Sequence, residues 1–321
     1  MNEKITVIIP TYKRPRLLIR CLQAIAAQTL DKSDYKVIVV SDGEDLSTKD
    51  AVETWQLAAH INLSFLQIEK SGPAAARNYG WKKAKTALIA FTDDDCIPSP
   101  QWLSAFIHAY SGEKLIAFTG RTQVPLPLKK TDFAVNLSHL EKAEFITANC
   151  ACTRVVLQLV GGFDERFAMA WREDSDLQFK FITHQVDIVP IEEALVVHPV
   201  REVPWGISII EQKKGLYDAL LFKKHPQLYR EKIKSSIVLY YVILLLLFVL
   251  VWSIIKQHYI LTVINTIALV LLFAQFIAKR LQDRHKSFNQ VTDMIITSFV
   301  IPFLSIFWRL YGSVKYRILF F

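Results

Sequence analysis

Ala87-Leu88-Ile89-Ala90-Phe91-Thr92-Asp93-Asp94-Asp95 sets an apolar run directly against three carboxylates. A short apolar run without polar alternation fits a strand buried on both faces. Such strands belong to parallel sheets covered by helices, whose ligands sit beyond the carboxyl ends of the strands. An acidic triplet met alone is most simply a solvated turn capping the next helix. Its place after a buried strand reverses that reading. Three adjacent carboxylates repel one another unless a cation neutralises them, and a hard divalent ion such as Mg²⁺ or Mn²⁺ is the natural partner for oxygen ligands.

Working outward, the same pattern recurs. Ile5–Pro10, Lys36–Ser41 and Asn62–Ile68 read as strands, and Pro15–Gln28, Thr48–Ala59 and Pro73–Lys85 as the helices between them. This rhythm predicts an α/β fold with a Rossmann-like, mostly parallel sheet. Thr11-Tyr12 and Asp42 then join the aspartates at the ligand edge. Past Trp102 the pattern loosens. Leu115–Thr119 reads as a strand and Val124–Lys130 as a loop. Thr153–Val160 and Asp174–Thr183 read as helices, and Val186–Pro190 and Ala194–His198 as edge strands.

A second acidic constellation follows: Gly161-Gly162-Phe163-Asp164-Glu165, then Trp171-Arg172-Glu173-Asp174-Ser175-Asp176-Leu177. On a helix starting near Glu173, Glu173 and Asp176 share a face, as do Asp174 and Gln178. Acidic residues in a first helical turn also complement the helix dipole, so capping is a competing explanation.

Charge separates the chain into two parts. Residues 206–321 carry 15 Lys/Arg against 5 Asp/Glu, whereas residues 1–205 carry 23 against 25. The first part has no cationic surplus for a phosphate backbone, which argues against nucleic-acid binding. Residues 237–255 and 259–278 are free of charge and long enough to cross ~30 Å of hydrocarbon. Lys223, Lys224, Lys232 and Lys234 precede this pair, and Lys279, Arg280, Arg284 and Lys286 follow it. The positive-inside rule then puts both ends of the hairpin, and the N-terminal domain, on the cytosolic side of the cytoplasmic (inner) membrane. Met1-Asn2-Glu3-Lys4 leads straight into a strand and does not read as a signal peptide. Cys21, Cys96, Cys150 and Cys152 show no CxxC pairing and read as reduced thiols. The segment 294–308 is apolar but short and contains Pro302, which favours a re-entrant or interfacial helix over a third span.

Taken together, Val7-Ile8-Ile9-Pro10-Thr11-Tyr12-Lys13-Arg14, Val40-Ser41-Asp42-Gly43, Gly72-Pro73-Ala74-Ala75-Ala76-Arg77-Asn78-Tyr79-Gly80 and Phe91-Thr92-Asp93-Asp94-Asp95 resemble family 2 of the inverting glycosyltransferases. The Gly-Gly-Phe-Asp-Glu and Glu-Asp-Ser-Asp-Leu stretches continue that order over about the first 200 residues. Each motif is weak alone, and the ordered set is specific. The resemblance implies a GT-A fold and a nucleotide-sugar donor, with UDP the expected nucleotide. Pro10, Thr11, Tyr12, Arg14 and Asp42 would line the nucleotide pocket, with Arg77, Asp93 and Asp94 holding the nucleotide. Asp93 and Asp95 match the DxD acids that meet Mn²⁺ or Mg²⁺. His198 matches a histidine used by some relatives near the metal, although a lone histidine at a strand end is commonly structural. Asp174 matches the general base, with Glu173, Trp171 and Asp176 supporting the acceptor side.

Lys180 stands where the family often has arginine. Gln212-Lys213-Lys214-Gly215-Leu216 lacks the Arg-Trp pair of processive synthases, so one transfer per acceptor is expected. The implied acceptor is a hydroxyl of a lipid-linked or cell-envelope glycan. Expected domains are a GT-A domain over 1–205, an amphipathic interfacial linker over 206–234, a membrane region over 235–312 and a basic, aromatic tail over 313–321. A nucleotidyltransferase would need a glycine-rich loop after strand one, where Pro10-Thr11-Tyr12-Lys13-Arg14-Pro15 has none. A dinucleotide-dependent dehydrogenase fails for want of GxGxxG. A membrane-tethered scaffold that has lost turnover would have no need of Asp174.

Overall fold

The computed structural model describes residues 3–233 and 237–320. Met1 and Asn2 of the N-terminal reading, Lys234 of the basic cluster, the domain boundary drawn at 234/235 and Phe321 lie outside the described residues. The chain divides into one unit of Met1–Pro125 with Ser138–Val200, and a second of Leu126–Leu137 with Arg201–Phe321.

In the first unit, β1 (Ile5–Thr11), α1 (Pro15–Ala26), β2 (Tyr35–Asp42), α2 (Leu46–Ala59), β3 (Leu63–Ile68), α3 (Pro73–Lys83) and β4 (Leu88–Thr92) follow the predicted order. Then come β5 (Ile97–Pro98), α4 (Trp102–Ala109) and β6 (Ile116–Gln123). After α5 (Asp132–Ser138) the chain returns through β7 (Asn149–Thr153), α6 (Arg154–Val160), α7 (Glu173–Thr183) and β8 (Asp187–Val197). The sheet order is β3-β2-β1-β4-β7-β6-β8-β5. The β3/β2, β2/β1, β1/β4 and β6/β8 pairs are parallel, and β7 runs antiparallel between β4 and β6.

Helices on both faces explain the continuous apolar strands. Ile5, Val7 and Ile9 of β1 pack in one core with Leu18 and Leu22 of α1, whereas Ile8 packs in the other with Ala74, Trp81 and Phe181. Successive residues of a strand point to opposite faces, so a sheet covered twice needs apolar residues at every position.

Three expectations change. The strand β7 is central yet went unread, because Asn149-Cys150-Ala151-Cys152-Thr153 holds no run of large branched residues and is a strand through its neighbours. Val186–Pro190 and Ala194–His198 are one strand rather than two. Its pairing with the two-residue β5 involves only Val196 and Val197, which leaves Pro190 at the margin where a missing N–H is tolerated. The segment Leu126–Leu137, counted by sequence with the first domain, groups with the second unit. Arg280 Nη2 donates to Asp132 Oδ2 at 2.9 Å, Arg284 Nη2 lies 3.5 Å from Asp132 Oδ1, and the Lys130 carbonyl accepts from the His285 amide and Gln290 Nε2 at 2.9 Å.

In the second unit the Lys-rich stretch over 206–234, expected as an amphipathic interfacial linker, is a series of short helices. It breaks into α8 (Ile207–Glu211), a 3₁₀ turn at Gln212–Gly215, α9 (Leu216–Lys224) and α10 (Pro226–Lys232). Leu216 through Leu221 are buried in succession. Then follow α11 (Val238–Ile255), α12 (Tyr259–Leu281) and α13 (Phe288–Tyr316), three helices long and apolar enough to cross a membrane. The last is 29 residues long, well beyond the predicted segment 294–308, and continues through Pro302.

Candidate active site

Parallel pairing brings the ends of β1, β2 and β4 to one edge. Thr11 lies opposite Ser41, and Ile8 opposite Phe91, so Thr11-Tyr12, Asp42 and Asp93-Asp94-Asp95 emerge together. Tyr12 lies across Gly43, where a Cβ would come within 2.9 Å of the ring, and Lys70 Nζ sits 3.5 Å from the ring centroid. Tyr12, Lys13, Gly43 and Lys70 line an open cleft of about 630 Å³. Asp42 Oδ1 accepts from the backbone amides of Ser71 and Gly72 at 2.7 and 2.8 Å, which fixes the loop entering α3.

The three aspartates do different work. Asp94 turns inward and is buried, accepting from Thr11 Oγ1 at 2.8 Å and Arg14 Nη1 at 3.2 Å. Burial pushes its carboxyl up to about 6 against the opposing pull of Arg14. The structure thus gives Asp94 and Thr11 the task of tying the aspartate loop to the end of β1. Asp93 accepts from Arg77 Nη2 at 2.7 Å. Asp95 Oδ1 lies 3.6 Å from His198 Nε2, and Arg14 Nη1 lies 3.6 Å from Asp95 Oδ2.

His198 follows β8 and donates its backbone N–H to Gln123 at 2.7 Å. Its ring is buried, and Nδ1 has no hydrogen-bond partner among the described residues. Ligand atoms of Asp95, Cys96 and His198 fall within 4.8 Å of one another. Burial, reinforced by the Asp93 and Asp95 charges, pushes the Cys96 thiol well up and keeps it protonated. Only a thiolate binds a metal well, so carboxylate and imidazole are the donors suited to a cation here.

Arg77 joins the two acidic constellations. It is buried in α3, with Nη2 on Asp93 and Nη1 3.2 Å from Glu173 Oε1. Burial alone would lower its affinity for a proton, but the two carboxylates outweigh that and hold it above its usual range. Burial pushes Glu173 up to about 7 despite Arg77. Asp174 is half-buried; desolvation raises its carboxyl, while the Ser175 N–H, donating at 2.6 Å, opposes the rise. Of the flanking residues, Asp176 is fully buried and pairs with Lys180 at 3.2 Å, and Lys180 donates to the Gly162 carbonyl at 2.7 Å. Both therefore brace α7 against the Gly161-Gly162 turn. Trp171 is exposed and stacks with Arg172, whose guanidinium carbon lies 4.7 Å from the ring centroid.

Asn78 was quoted in a motif but given no role. Its Oδ1 accepts from the Phe163 amide and Trp81 Nε1, and its Nδ2 donates to the Phe163 carbonyl and Glu165, all at 2.8–2.9 Å. An amide is the side chain able to donate and accept in this way, and an asparagine inside a helical stretch of small residues was the available signal. Asn149 was missed entirely. It accepts from Trp102 Nε1 at 2.8 Å and donates to the carbonyls of Arg121 and Ala194.

Residues 6–149 match the family described as glycosyl transferase family 2. This segment is a glycosyl transferase family 2 domain. Glu173, Asp174 and His198 lie beyond the matched residues. The chain is 36% identical over 124 residues to glycosyltransferase AglE of Haloferax volcanii, covering 38% of this chain and 40% of that protein. It is 25% identical over 272 residues to the validoxylamine A glucosyltransferase of Streptomyces hygroscopicus subsp. limoneus, covering 71% and 58%. The chain thus spans about two-fifths to three-fifths of the length of these relatives. A mannosyltransferase from Pyrobaculum calidifontis, solved with GDP-Man and Mn²⁺, superposes with a TM-score of 0.55 at 18% identity, over 98% of this chain and 87% of that one. S. aureus TarS 1–349, solved with UDP-GlcNAc, gives 0.51 at 15% identity, over 98% and 91%. These likenesses establish the GT-A fold around the family 2 domain.

Proposed function

We propose that the protein is a membrane-anchored inverting glycosyltransferase. It moves one sugar per encounter from a nucleotide-sugar donor, with UDP the favoured nucleotide, to a hydroxyl of a lipid-linked or cell-envelope glycan. The observation that carries this reading is Arg77, which holds Asp93 of the aspartate loop and Glu173 of the α7 first turn in one buried ion-pair network. A donor-binding edge and a candidate base are thereby built into a single site. The glycosyltransferases among the relatives and the nucleotide-sugar complexes of the structural neighbours support the same reading.

The nucleotide occupies the cleft beside Tyr12 and Lys70, below the Asp42 loop. Asp95 and His198, with Asp93, would hold the divalent cation, Mn²⁺ or Mg²⁺, and the buried His198 Nδ1, without a hydrogen-bond partner among the described residues, leaves the imidazole free to do so. When bound, the cation offsets negative charge on the departing nucleoside diphosphate. Asp174 accepts the proton of the acceptor hydroxyl as that oxygen bonds to the anomeric carbon. The bond from that carbon to the diphosphate breaks on the opposite side, so a single displacement inverts the configuration. A carboxylate raised by desolvation is a stronger base than one in water, which suits this step. The basic residues flanking α11 and α12 support a catalytic domain on the cytosolic side of the inner membrane.

Calorimetric titration of detergent-solubilised protein with UDP, GDP and dTDP, with and without Mn²⁺, tests the donor site. One nucleotide is expected to bind in a Mn²⁺-dependent manner, and Asp93→Ala with Asp95→Ala should remove that dependence. Absence of binding by folded protein would reject the reading.

A further inference from the structure

The helix α13 is long enough to span a bilayer, since 29 residues cover about 43 Å. Its neighbours argue for another placement. The Gly206 amide donates to Asp293 Oδ1 at 3.1 Å, near the start of α13. Further along, Lys213 Nζ lies 5.7 Å from the Trp308 ring, and Gly312 meets Leu216 so closely that a Cβ would fall 2.6 Å from its carbonyl oxygen. At the far end, Arg309 Nη2 donates to the Tyr229 hydroxyl at 3.2 Å, and Lys223 Nζ donates to the Tyr316 carbonyl at 2.7 Å. Residues 206–229 therefore accompany α13 from Asp293 to Tyr316.

That escort precedes α11 and carries Glu211, Lys213, Lys214, Asp218, Lys223 and Lys224. Were α13 to cross the membrane, these charges and buried Arg309 would cross with it, at a heavy desolvation cost. Residues of α12 meet the beginning of α13: Arg280 donates to Thr297 and Ser298 at 2.8 Å, and the Phe273 and Phe299 rings pack with centroids 4.7 Å apart. The two faces of α13 are also inverted relative to a helix in water. Thr297, Ser298 and Arg309 are buried against protein, while Phe299, Phe303, Phe307, Leu310 and Val314 form an exposed stripe.

We propose that α13 lies in the plane of the bilayer surface, with the Phe299–Val314 stripe dipping into the boundary between headgroups and acyl chains. The occupant of that apolar face is lipid, because α13 continues directly from the α11–α12 hairpin, whose own surface is apolar and largely exposed. Both ends of α13 then remain on the side of α9 and α10. Exposed Lys315 and Arg317 at its end suit anionic headgroups. An in-plane helix of this kind fixes the height of the escorting helices above the membrane. The proposal rests on α11 and α12 being a spanning hairpin, and the test separates the two.

Single cysteines at Lys256→Cys, in the turn between α11 and α12, and at Lys315→Cys are labelled with an impermeant maleimide in sealed, right-side-out vesicles. The four native cysteines are buried. Labelling of Lys256→Cys before lysis, and of Lys315→Cys only after lysis, is the expected pattern. Labelling of both before lysis overturns the in-plane placement and leaves the hairpin standing. Protection of Lys256→Cys until lysis overturns the hairpin on which the proposal depends. Spin labels at Phe299→Cys and Leu310→Cys give a second measure. Equal immersion depths are expected, whereas a spanning helix would separate them by about 16 Å along its axis.

Discussion

Arg77 and Glu173 face one another across 3.2 Å, both buried, and their ion pair fastens α3 to the first turn of α7. Since Arg77 also holds Asp93 at 2.7 Å, its removal strands two carboxylates at once. Breaking a buried pair from one side costs about 3–5 kcal/mol, because the remaining charge stays uncompensated. We predict a loss of that order for Arg77→Met, read from the denaturant midpoint at neutral pH. Arg77→Met combined with Glu173→Gln should lose less than the sum of the two single changes. Strict additivity would show that the pair is not energetically coupled.

Glu173 also sets a pH dependence. Its carboxyl is raised in the folded protein to about 7 from an ordinary 4.5, chiefly by burial. Between those values the folded state binds more protons than the unfolded state, so stability falls as pH rises through this window and levels off above it. Asp94, raised to about 6, adds a fall in the same direction. Denaturant midpoints measured from pH 4.5 to 8 should show this decline, with a shallower slope in Glu173→Gln. An identical slope in the variant would remove Glu173 as the source.

Strands β1, β2 and β4 were legible because each is buried on both faces, which forces apolar runs into the sequence, whereas the edge strand β3 is only partly buried. The positions of Thr11, Asp42 and Asp93 followed, since parallel strands deliver their ends to one edge. Other features were written in distant contacts. Nothing local to Asn149-Cys150-Ala151-Cys152-Thr153 announces a central strand; Phe91 and Phe118 on its neighbours make it one. The inward turn of Asp94 depends on Thr11 and Arg14, some 80 residues earlier. Asp132 leaves its sequence neighbours for Arg280, an alliance that no periodicity reveals.

Gly72 offers a backbone test of the site. Its φ of +102° is strained for residues with a side chain, and a Cβ would lie 2.6 Å from the Ala168 carbonyl oxygen. Gly72→Ala must therefore displace either the Asp42-held loop or the stretch leading to Trp171. A destabilisation of about 1–3 kcal/mol is expected from the backbone conformation alone, with weaker nucleotide binding beside it. A variant with unchanged melting and unchanged binding would show that this close approach does not constrain the site.

Asn78 gives a separable test, because three of its four hydrogen bonds hold Phe163 and Glu165 on α3 and the fourth holds Trp81 within that helix, none of them reaching the aspartate loop. At roughly 1 kcal/mol net for each bond, Asn78→Ala should lower stability by about 2–4 kcal/mol. Thermal or denaturant unfolding measures this directly, and a loss below 1 kcal/mol would contradict the assigned role.

Asp174 carries the sharpest prediction, since the proposed base and the donor site rest on different residues. The Asp174 carboxyl accepts from Ser175, whereas Arg77 bonds Asp93 and Glu173. Asp174→Asn keeps the side-chain shape and the Ser175 bond while deleting the proton acceptor. General-base assistance contributes about 10²–10⁴-fold to rate, so turnover should fall by that factor while nucleotide affinity changes less than threefold. Parallel loss of affinity and turnover would instead assign Asp174 a structural part. Retention of turnover would move the proton to another acceptor, with Glu173, raised to about 7 and adjacent in the chain, as the group to substitute next.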